Sequence, residues 1–181
     1  MDSSEVVGGI APETAMGVVT LHVADIDTMS AYYASAFLME VMDEKVRGSH
    51  VVHVLGRGGT PLIRLVSAKD LPVGSHHSAG LYHTAFLFES PQTLATTVYR
   101  AAQNPLSRFV GSSDHTVSEA FYFTDPEGNG VELYADRPRS MWPIVDGKVA
   151  MDTQWLDPNN YLEQHLLGWR MWPSRYLTSK A

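Results

Sequence analysis

A strand followed by a helix occurs twice in this sequence, and that repeat restricts the fold more than any other feature. The first copy is GVVTLHVADIDTMSAYYASAF (17–37), and the second is LYHTAFLFESPQTLATTVYRAAQ (81–103). The offset is 65 residues, so Val18 corresponds to His83. In each copy, apolar residues first alternate with a period of two and then recur at helical spacing. The second helix is expected to begin at Ser90 as N-cap and proline as its first helical residue. The sequence therefore predicts two modules of the same topology.

Strand-like segments follow both predicted helices. They are VRGSHVVHVLG and TPLIRLVS in the first copy, and RFVGSS, SEAFYF and GVELYA in the second. Each unit is therefore interpreted as β-α-β-β-β, and the predicted fold class is α+β, with paired modules forming a half-open, barrel-like sheet. The predicted divisions are a flexible lead (1–16), module 1 (17–70), a linker (71–80), module 2 (81–137) and a Trp-rich extension (138–181).

A sheet covered by helices on one side leaves its other face free, and we call this free face the cup. Aligning GGTPLIRLV with GNGVELYAD pairs Arg64 with Glu132. Side chains of a strand point alternately to its two faces. This alternation places six side chains on the cup: Val18, Thr20, His22, Arg64, His83 and Glu132.

Composition narrows the class of protein. The chain has 181 residues, 44% of them hydrophobic, which is enough for a buried core, and it has no cysteine for a disulfide or a thiolate zinc site. A net charge of −7 argues against a nucleic-acid partner, and no apolar run approaches the ~20 residues of a membrane span. The first residues lack the basic and apolar regions of a signal peptide. We expect a cytoplasmic protein that binds small molecules or protein partners.

The segment HTVSEAFYFTDPEGNGVELY (115–134) contains more candidate functional side chains than any other segment. Its centre, 125–130, is rich in Pro, Gly and Asn and predicts a turn. The aromatic and β-branched residues on both sides predict strands, so a hairpin is expected. The open question is whether His115 and Glu132 form a site on this hairpin or merely flank a turn.

With GLYHTAF and VTLHVADIDTMSAYY, this hairpin resembles the vicinal oxygen chelate superfamily, which includes glyoxalase I, bleomycin-resistance proteins and extradiol ring-cleaving dioxygenases. The resemblance covers roughly residues 17–137 and is closest to the first half of bacterial catechol dioxygenases with four modules. The extradiol signature is matched by His115, Tyr122, an Asp-Pro pair, a glycine and Glu132 at the required spacing. One position departs from it: Ser113 stands where the signature has Gly, Asn, Thr, Ile or Val.

The resemblance implies that His83 and Glu132 are metal ligands. A neutral imidazole and a carboxylate belong to the facial triad of non-haem iron oxygenases, so Fe(II) is the expected metal and Mn(II) the second choice. The superfamily's third ligand falls at Val18, which cannot bind a metal, so no third protein ligand is identified. The alternative for both residues is a hydrogen-bonded histidine and a solvated glutamate.

Four further residues are candidates for substrate contacts. The resemblance assigns catechol contacts to His115, as acid/base, and to Tyr122, as orienting group; Tyr122 is equally well explained as a half-buried strand aromatic. Four strand residues separate His22 from the Val18 position by ~13 Å, so His22 is expected to line the cup rather than bind the metal. Arg64 is expected to hold an anionic substrate or to pair with Glu132.

All four tryptophans, Trp142, Trp155, Trp169 and Trp172, lie after Pro138. They are expected either to cover the protein's own surface or to form a homodimer contact. A short helix is predicted in DPNNYLEQHLLGWRMW. The adjacent histidines of SHH (75–77) lie in the predicted linker and are interpreted as solvated.

Two functions from different classes remain. One is a metal-dependent extradiol dioxygenase that acts on a catechol or related aromatic with dioxygen. The other is a metal-free protein of the bleomycin-resistance type that binds an aromatic ligand in the same cup. A degenerate module pair that serves as an assembly surface is a third alternative.

Overall fold

The computed structural model describes residues 10, 13–70 and 79–166. Its first unit consists of β1 (Val19–Val23), α1 (Ile26–Phe37), β2 (Glu40–Arg47), β3 (His50–Arg57) and β4 (Thr60–Ser67). The second consists of β5 (His83–Phe88), α2 (Pro91–Gln103), β6 (Arg108–Asp114), β7 (Ser118–Thr124) and β8 (Gly130–Asp136). They are followed by a 3₁₀ turn (Arg139–Met141), β9 (Ile144–Val145), β10 (Lys148–Val149), β11 (Gln154–Trp155) and α3 (Pro158–His165).

The two units have the same strand order. The first sheet runs β1-β4-β3-β2, and the second runs β5-β8-β7-β6 with β11 added at its edge. In each sheet the first strand pairs in parallel with the last strand of its unit. Thr20 pairs with Arg64, as Ala85 pairs with Glu132, so the register confirms the alignment of Arg64 with Glu132. The α+β class with paired βαβββ units is confirmed.

The helices begin where local sequence directs them. The Asp25 side chain accepts a hydrogen bond from the Thr28 amide (3.0 Å) at the start of α1. Ser90 and Thr93 form a reciprocal capping box at the start of α2, with Pro91 in the first turn, as predicted. None of the helices within residues 13–70 and 79–166 is long and apolar enough to cross a membrane.

Both units contribute to one hydrophobic core between the helices and the sheets. From α1, the core includes Met29, Tyr33 and Phe37, and α2 contributes Leu94, Val98 and Ala101, so the apolar residues at helical spacing in both helices are buried. The sheets contribute alternate residues, among them Leu65, Phe121, Phe123 and Leu133. The opposite faces of β1, β4, β5 and β8, which the sequence pattern assigns to the cup, stay partly or fully accessible.

The described part of the predicted extension, residues 138–166, joins the second sheet through β11. α3 buries Tyr161 and Leu162, and the Tyr161 ring packs on Phe121 at 4.9 Å between centroids. Trp155 lies on the edge strand β11 and is 77% exposed. Several predictions lie outside the described residues: the start of the lead, the histidines at 76 and 77, and Trp169 and Trp172.

Hydrogen bonds join the first unit to the turn of the β7–β8 hairpin. The Glu127 carboxylate accepts from the amides of Ala24 (3.0 Å) and Asp25 (2.9 Å), next to α1. The hydroxyl of buried Tyr33 donates to Asp125 Oδ2 at 3.1 Å. Asp125 is itself buried, and this burial raises the pKa of its carboxyl group. The hairpin turn is therefore held in place by α1. This turn fixes the relative positions of β7 and β8.

Tyr33→Phe is expected to destabilise the protein by about 1–3 kcal/mol, because a buried carboxyl group loses a hydrogen-bond donor. Denaturant unfolding followed by circular dichroism measures this change. The matched control is Tyr32→Phe, which removes a hydroxyl that bonds the part-buried Ser107 hydroxyl at 3.1 Å and whose loss is expected to cost less. Equal effects of the two substitutions would show that the Asp125 contact adds nothing.

Candidate active site

His83 and Glu132 meet on the cup. His83 begins β5, and Glu132 lies in the adjacent strand β8. The His83 Nε2 atom lies 2.7 Å from Glu132 Oε2, with the two side chains 29% and 13% exposed. Gly130 pairs with His83, and a Cβ atom at Gly130 would lie 3.0 Å from the His83 Cβ. A glycine at this position therefore permits the close approach of the two strands.

Tyr122 extends this pair toward the next strand. It lies on β7 directly opposite Glu132, and its hydroxyl donates to Glu132 Oε1 at 3.1 Å. Burial, followed by the negative charge of Glu132, raises the pKa of the Tyr122 phenol above its ordinary value. The side chain is therefore a neutral phenol around neutral pH, and it acts as a hydrogen-bond donor rather than as a base.

His115 is the fourth member of a hydrogen-bonded row that also contains Tyr122, Glu132 and His83. Its Nε2 atom lies 2.8 Å from the Tyr122 hydroxyl, and its Nδ1 atom lies 3.2 Å from Thr153 Oγ1. The four side chains selected from the hairpin and the repeat therefore form one connected series, His115–Tyr122–Glu132–His83. Thr153 was missed by the sequence analysis, because a threonine in a polar stretch without a motif gives no signal.

The directions of these hydrogen bonds follow from the acceptor at their centre. The Glu132 carboxylate can only accept hydrogen bonds, so the Tyr122 hydroxyl must donate its single proton to it. The Tyr122 oxygen can then only accept from His115 Nε2–H. The Nδ1 atom of a neutral His115 is therefore an acceptor for the Thr153 hydroxyl. Likewise, neutral His83 donates its Nε2–H to Glu132, which leaves His83 Nδ1 without a proton.

An ion-pair cluster supports the turn that carries His115. The Arg137 guanidinium donates to both carboxylate oxygens of Asp114 (2.6 and 2.7 Å) and to Glu119 Oε1 (2.9 Å). Asp114 Oδ1 also accepts from the amide of Thr116 at 2.7 Å, and Thr116 has a positive φ of 70°. Hydrogen bonding by Arg137 is the main cause that lowers the pKa of Asp114. The cluster therefore fixes a backbone conformation that is strained for a β-branched residue.

The remaining candidates lie on the first unit's part of the cup. His22 is exposed on β1 and pairs in register with Val66. Arg64 is also exposed, and its Nη1 atom lies 3.4 Å from Thr20 Oγ1. Arg64 forms no ion pair with Glu132, so this part of the sequence expectation is not met. Its guanidinium remains accessible to a ligand.

The model of the Glyoxalase/Bleomycin resistance protein/Dioxygenase superfamily matches residues 15–133. The chain belongs to this superfamily. A curated relative, catechol-2,3-dioxygenase of Bacillus subtilis (strain 168), is 32% identical over 156 residues. The alignment covers 86% of this chain and 53% of the relative, so the chain spans about half the length of that enzyme.

Solved structures share the superfamily fold at low identity. A glyoxalase/bleomycin resistance protein/dioxygenase domain from Frankia sp. EAN1pec superposes with a TM-score of 0.61 at 18% identity, covering 68% of this chain and 98% of that one. The fosfomycin resistance protein FosX from Listeria monocytogenes, complexed with Mn(II) and sulfate, gives 0.51 at 17% identity, covering 71% and 96%. These likenesses concern the fold alone.

Among the described residues, the metal-ligand set that the resemblance implies is only partly present. His83 and Glu132 offer an imidazole nitrogen and a carboxylate side by side, which suits a divalent metal. Within the described residues, however, no group of three or more His, Asp or Glu side chains is arranged to hold a metal ion. The half-buried Val18 precedes β1 at the position equivalent to His83. The residues therefore fit two ligands of a triad and leave the third to come from elsewhere.

Arg137→Met is expected to destabilise the superfamily domain by about 1–2 kcal/mol at neutral pH, where the partly screened charge pair is intact. Because Arg137 lowers the folded-state pKa of Asp114, this stabilisation is present above the unfolded-state pKa of 3.8 and is lost as the pH falls below it. The destabilisation by the substitution should therefore shrink on acidification, as measured by urea unfolding across pH. Lys45→Met, which removes an exposed ion pair with Asp43, is the control and should change stability by less than about 0.5 kcal/mol. An acid-independent effect of Arg137→Met would contradict the assignment to Asp114.

Proposed function

We propose that this chain is an extradiol dioxygenase-like domain that binds a catechol or a related aromatic in its cup and uses dioxygen as co-substrate. The observation that carries the proposal is the hydrogen-bonded row His115–Tyr122–Glu132–His83, in which residues of the extradiol signature lie in mutual contact. The 32% identity with a catechol-2,3-dioxygenase supports the same reaction class. The reaction breaks a carbon–carbon bond beside the diol and adds both atoms of dioxygen to the product.

Each side chain has a role that its surroundings support. Tyr122 is kept protonated by burial and by Glu132, and in the substrate complex it would turn its single hydroxyl proton from Glu132 to a catecholate oxygen and so orient it. His115 directs Nε2 toward Tyr122. Its imidazolium form can release the Nε2 proton to the substrate, and the neutral ring that remains, with its proton on Nδ1, can take a proton back at Nε2. His22 and Arg64 line the other side of the cup, where the exposed guanidinium suits an anionic substituent.

His83 and Glu132 would hold the metal, with Fe(II) as the first choice and Mn(II) as the second. A divalent metal at this position supplies Lewis-acid polarisation and a template for the two phenolic oxygens. Removing Glu132 also removes the acceptor on which Tyr122 depends, so metal binding and substrate orientation share one residue.

A second candidate function is metal-free binding of an aromatic ligand, as in the bleomycin-resistance proteins. Two observations favour it. Val18 stands at the third-ligand position, and the buried Nδ1 atom of His83 has no hydrogen-bond partner among the described residues. Histidines that ligate metals almost always donate their other ring N–H to an acceptor, and His83 lacks one there.

The extension is proposed as a homodimer contact. Its exposed apolar residues support this proposal: Met141, Ile144, Val145, Val149, Met151 and Trp155. Apolar groups concentrated in one surface segment are typical of protein–protein contacts.

Metal content and turnover measured on one sample separate the two functions. The protein is reconstituted anaerobically with Fe(II) or Mn(II), its metal is quantified, and the yellow ring-opened product of catechol analogues is followed. Stoichiometric metal with ring opening is the expected result. A protein that binds a catechol analogue without metal or turnover would instead establish the binding function and overturn the dioxygenase.

His115→Ala and Glu132→Ala are expected to fail in different ways. His115→Ala should lower turnover by ~10²-fold or more, the usual scale for a lost general acid/base, and keep the metal. Glu132→Ala should lose the metal itself. His50→Ala and Glu44→Ala, on exposed positions of β3 and β2, are the controls. A Glu132→Ala protein with full metal content would place the metal site elsewhere.

Arg64→Ala is expected to weaken the binding of an anionic catechol analogue by ~10-fold or more, because a charged hydrogen bond is lost, and to leave the binding of a neutral analogue unchanged. Isothermal titration of both ligands measures this difference. Arg47→Ala, on the exposed strand β2, controls for net charge. Equal affinities of Arg64→Ala and the wild type for the anionic ligand would remove Arg64 from the site.

A further inference from the structure

The segment after the second module contacts the proposed site directly. In the pairing of β11 with β6, Gln154 lies opposite Asp114 and Trp155 opposite Ser113. Because this pairing is antiparallel, the next register position brings Thr153 opposite His115. The result is the 3.2 Å contact between Thr153 Oγ1 and His115 Nδ1.

We propose that Thr153 is a positioning residue for His115, and that the extension therefore forms part of the site. The inference rests on the proposed function for the role of His115. It goes beyond that function by assigning a task to a segment that carries no superfamily motif: the family match ends at residue 133.

The position of β11 is fixed by contacts on its C-terminal side. The Ser112 hydroxyl donates to the backbone carbonyl of Leu156 at 2.8 Å, immediately after β11. α3 then begins at Pro158, after its N-cap Asp157, and buries Tyr161 and Leu162 in the shared core. The strand that brings Thr153 to His115 is therefore anchored to the core and is not a loose end of the chain.

A hydroxyl group suits His115 Nδ1 because it can both donate and accept. When His115 is neutral with its proton on Nε2, the Thr153 hydroxyl donates to Nδ1. When both ring nitrogens carry protons, and after this doubly protonated ring has given its Nε2 proton to a substrate, the same hydroxyl accepts from Nδ1–H. Thr153 can therefore keep the ring in one orientation through every protonation state that acid/base work requires. A carboxylate or an ammonium group could serve only some of these states.

The orientation of the imidazole matters because its other nitrogen faces Tyr122 at 2.8 Å. A ring held at Nδ1 keeps Nε2 directed toward the substrate side of the row. A ring held only at Nε2 can rotate about that contact, and the proton then leaves its productive direction.

Thr153→Val tests the proposal, because valine keeps the shape of threonine and removes the hydroxyl. Long-range ¹H–¹⁵N spectra of the histidines, with His115 assigned by comparison with His115→Gln, report the protonation and hydrogen bonding of each ring nitrogen. We expect Thr153→Val to move the His115 Nδ1 resonance and to lower kcat for ring opening by about 5-fold, the scale of one ordinary hydrogen bond, with KM unchanged. Thr153→Ser should restore the wild-type spectrum and rate.

Thr96→Val is the matched control, since Thr96 is an exposed threonine on α2 whose hydroxyl bonds the Gln92 carbonyl. A Thr153→Val protein with the wild-type His115 spectrum overturns the inference, and so does a Thr153→Ser protein that behaves like Thr153→Val. The nitrogen spectra can be recorded without catalytic turnover. If the wild type opens no catechol, the proposed function fails while the positioning of His115 by Thr153 is still decided.

Discussion

The carboxylate of Glu132 is the interaction on which the rest of the site depends. It accepts hydrogen bonds at 3.1 Å from Tyr122 and at 2.7 Å from His83, one at each oxygen. A carboxylate has no proton to give, so it fixes the direction of every hydrogen bond in the row and, through Tyr122, the tautomer of His115. Its charge also helps to keep Tyr122 protonated. One side chain on β8 thereby sets both the geometry and the protonation of three others.

The two modules share one topology but carry different side chains at equivalent positions. Equivalent register positions hold Arg64 in the first sheet and Glu132 in the second. Likewise, Val18 occupies the place that His83 takes in the second module. The proposed reactive groups are therefore concentrated in the second module, and the first carries the exposed Arg64 guanidinium on the free face of its sheet. The first module also supports the second mechanically, because α1 holds the hairpin turn through Tyr33 and Asp125.

Sequence reasoning was most successful where the signal was local or periodic. Ser90 and Pro91 mark the start of α2 because capping chemistry depends on adjacent residues. The alternation within each strand, combined with the repeat, identified the face that carries His83 and Glu132. Arg64 shows where such reasoning stops. The repeat gave its register correctly, but the rotamer that directs its guanidinium toward Thr20 depends on neighbours from another strand.

The sequence alone determined the family, the two βαβββ modules and the four residues of the row, because periodicity and motif spacing are properties of the chain itself. Only the tertiary structure decided that these four side chains form one hydrogen-bonded series, since that depends on distances between strands β5, β7 and β8. It also brought in Thr153, which lies 38 residues from His115 along the chain. That contact arises from the pairing of a two-residue edge strand anchored by α3, and no local pattern encodes such a pairing.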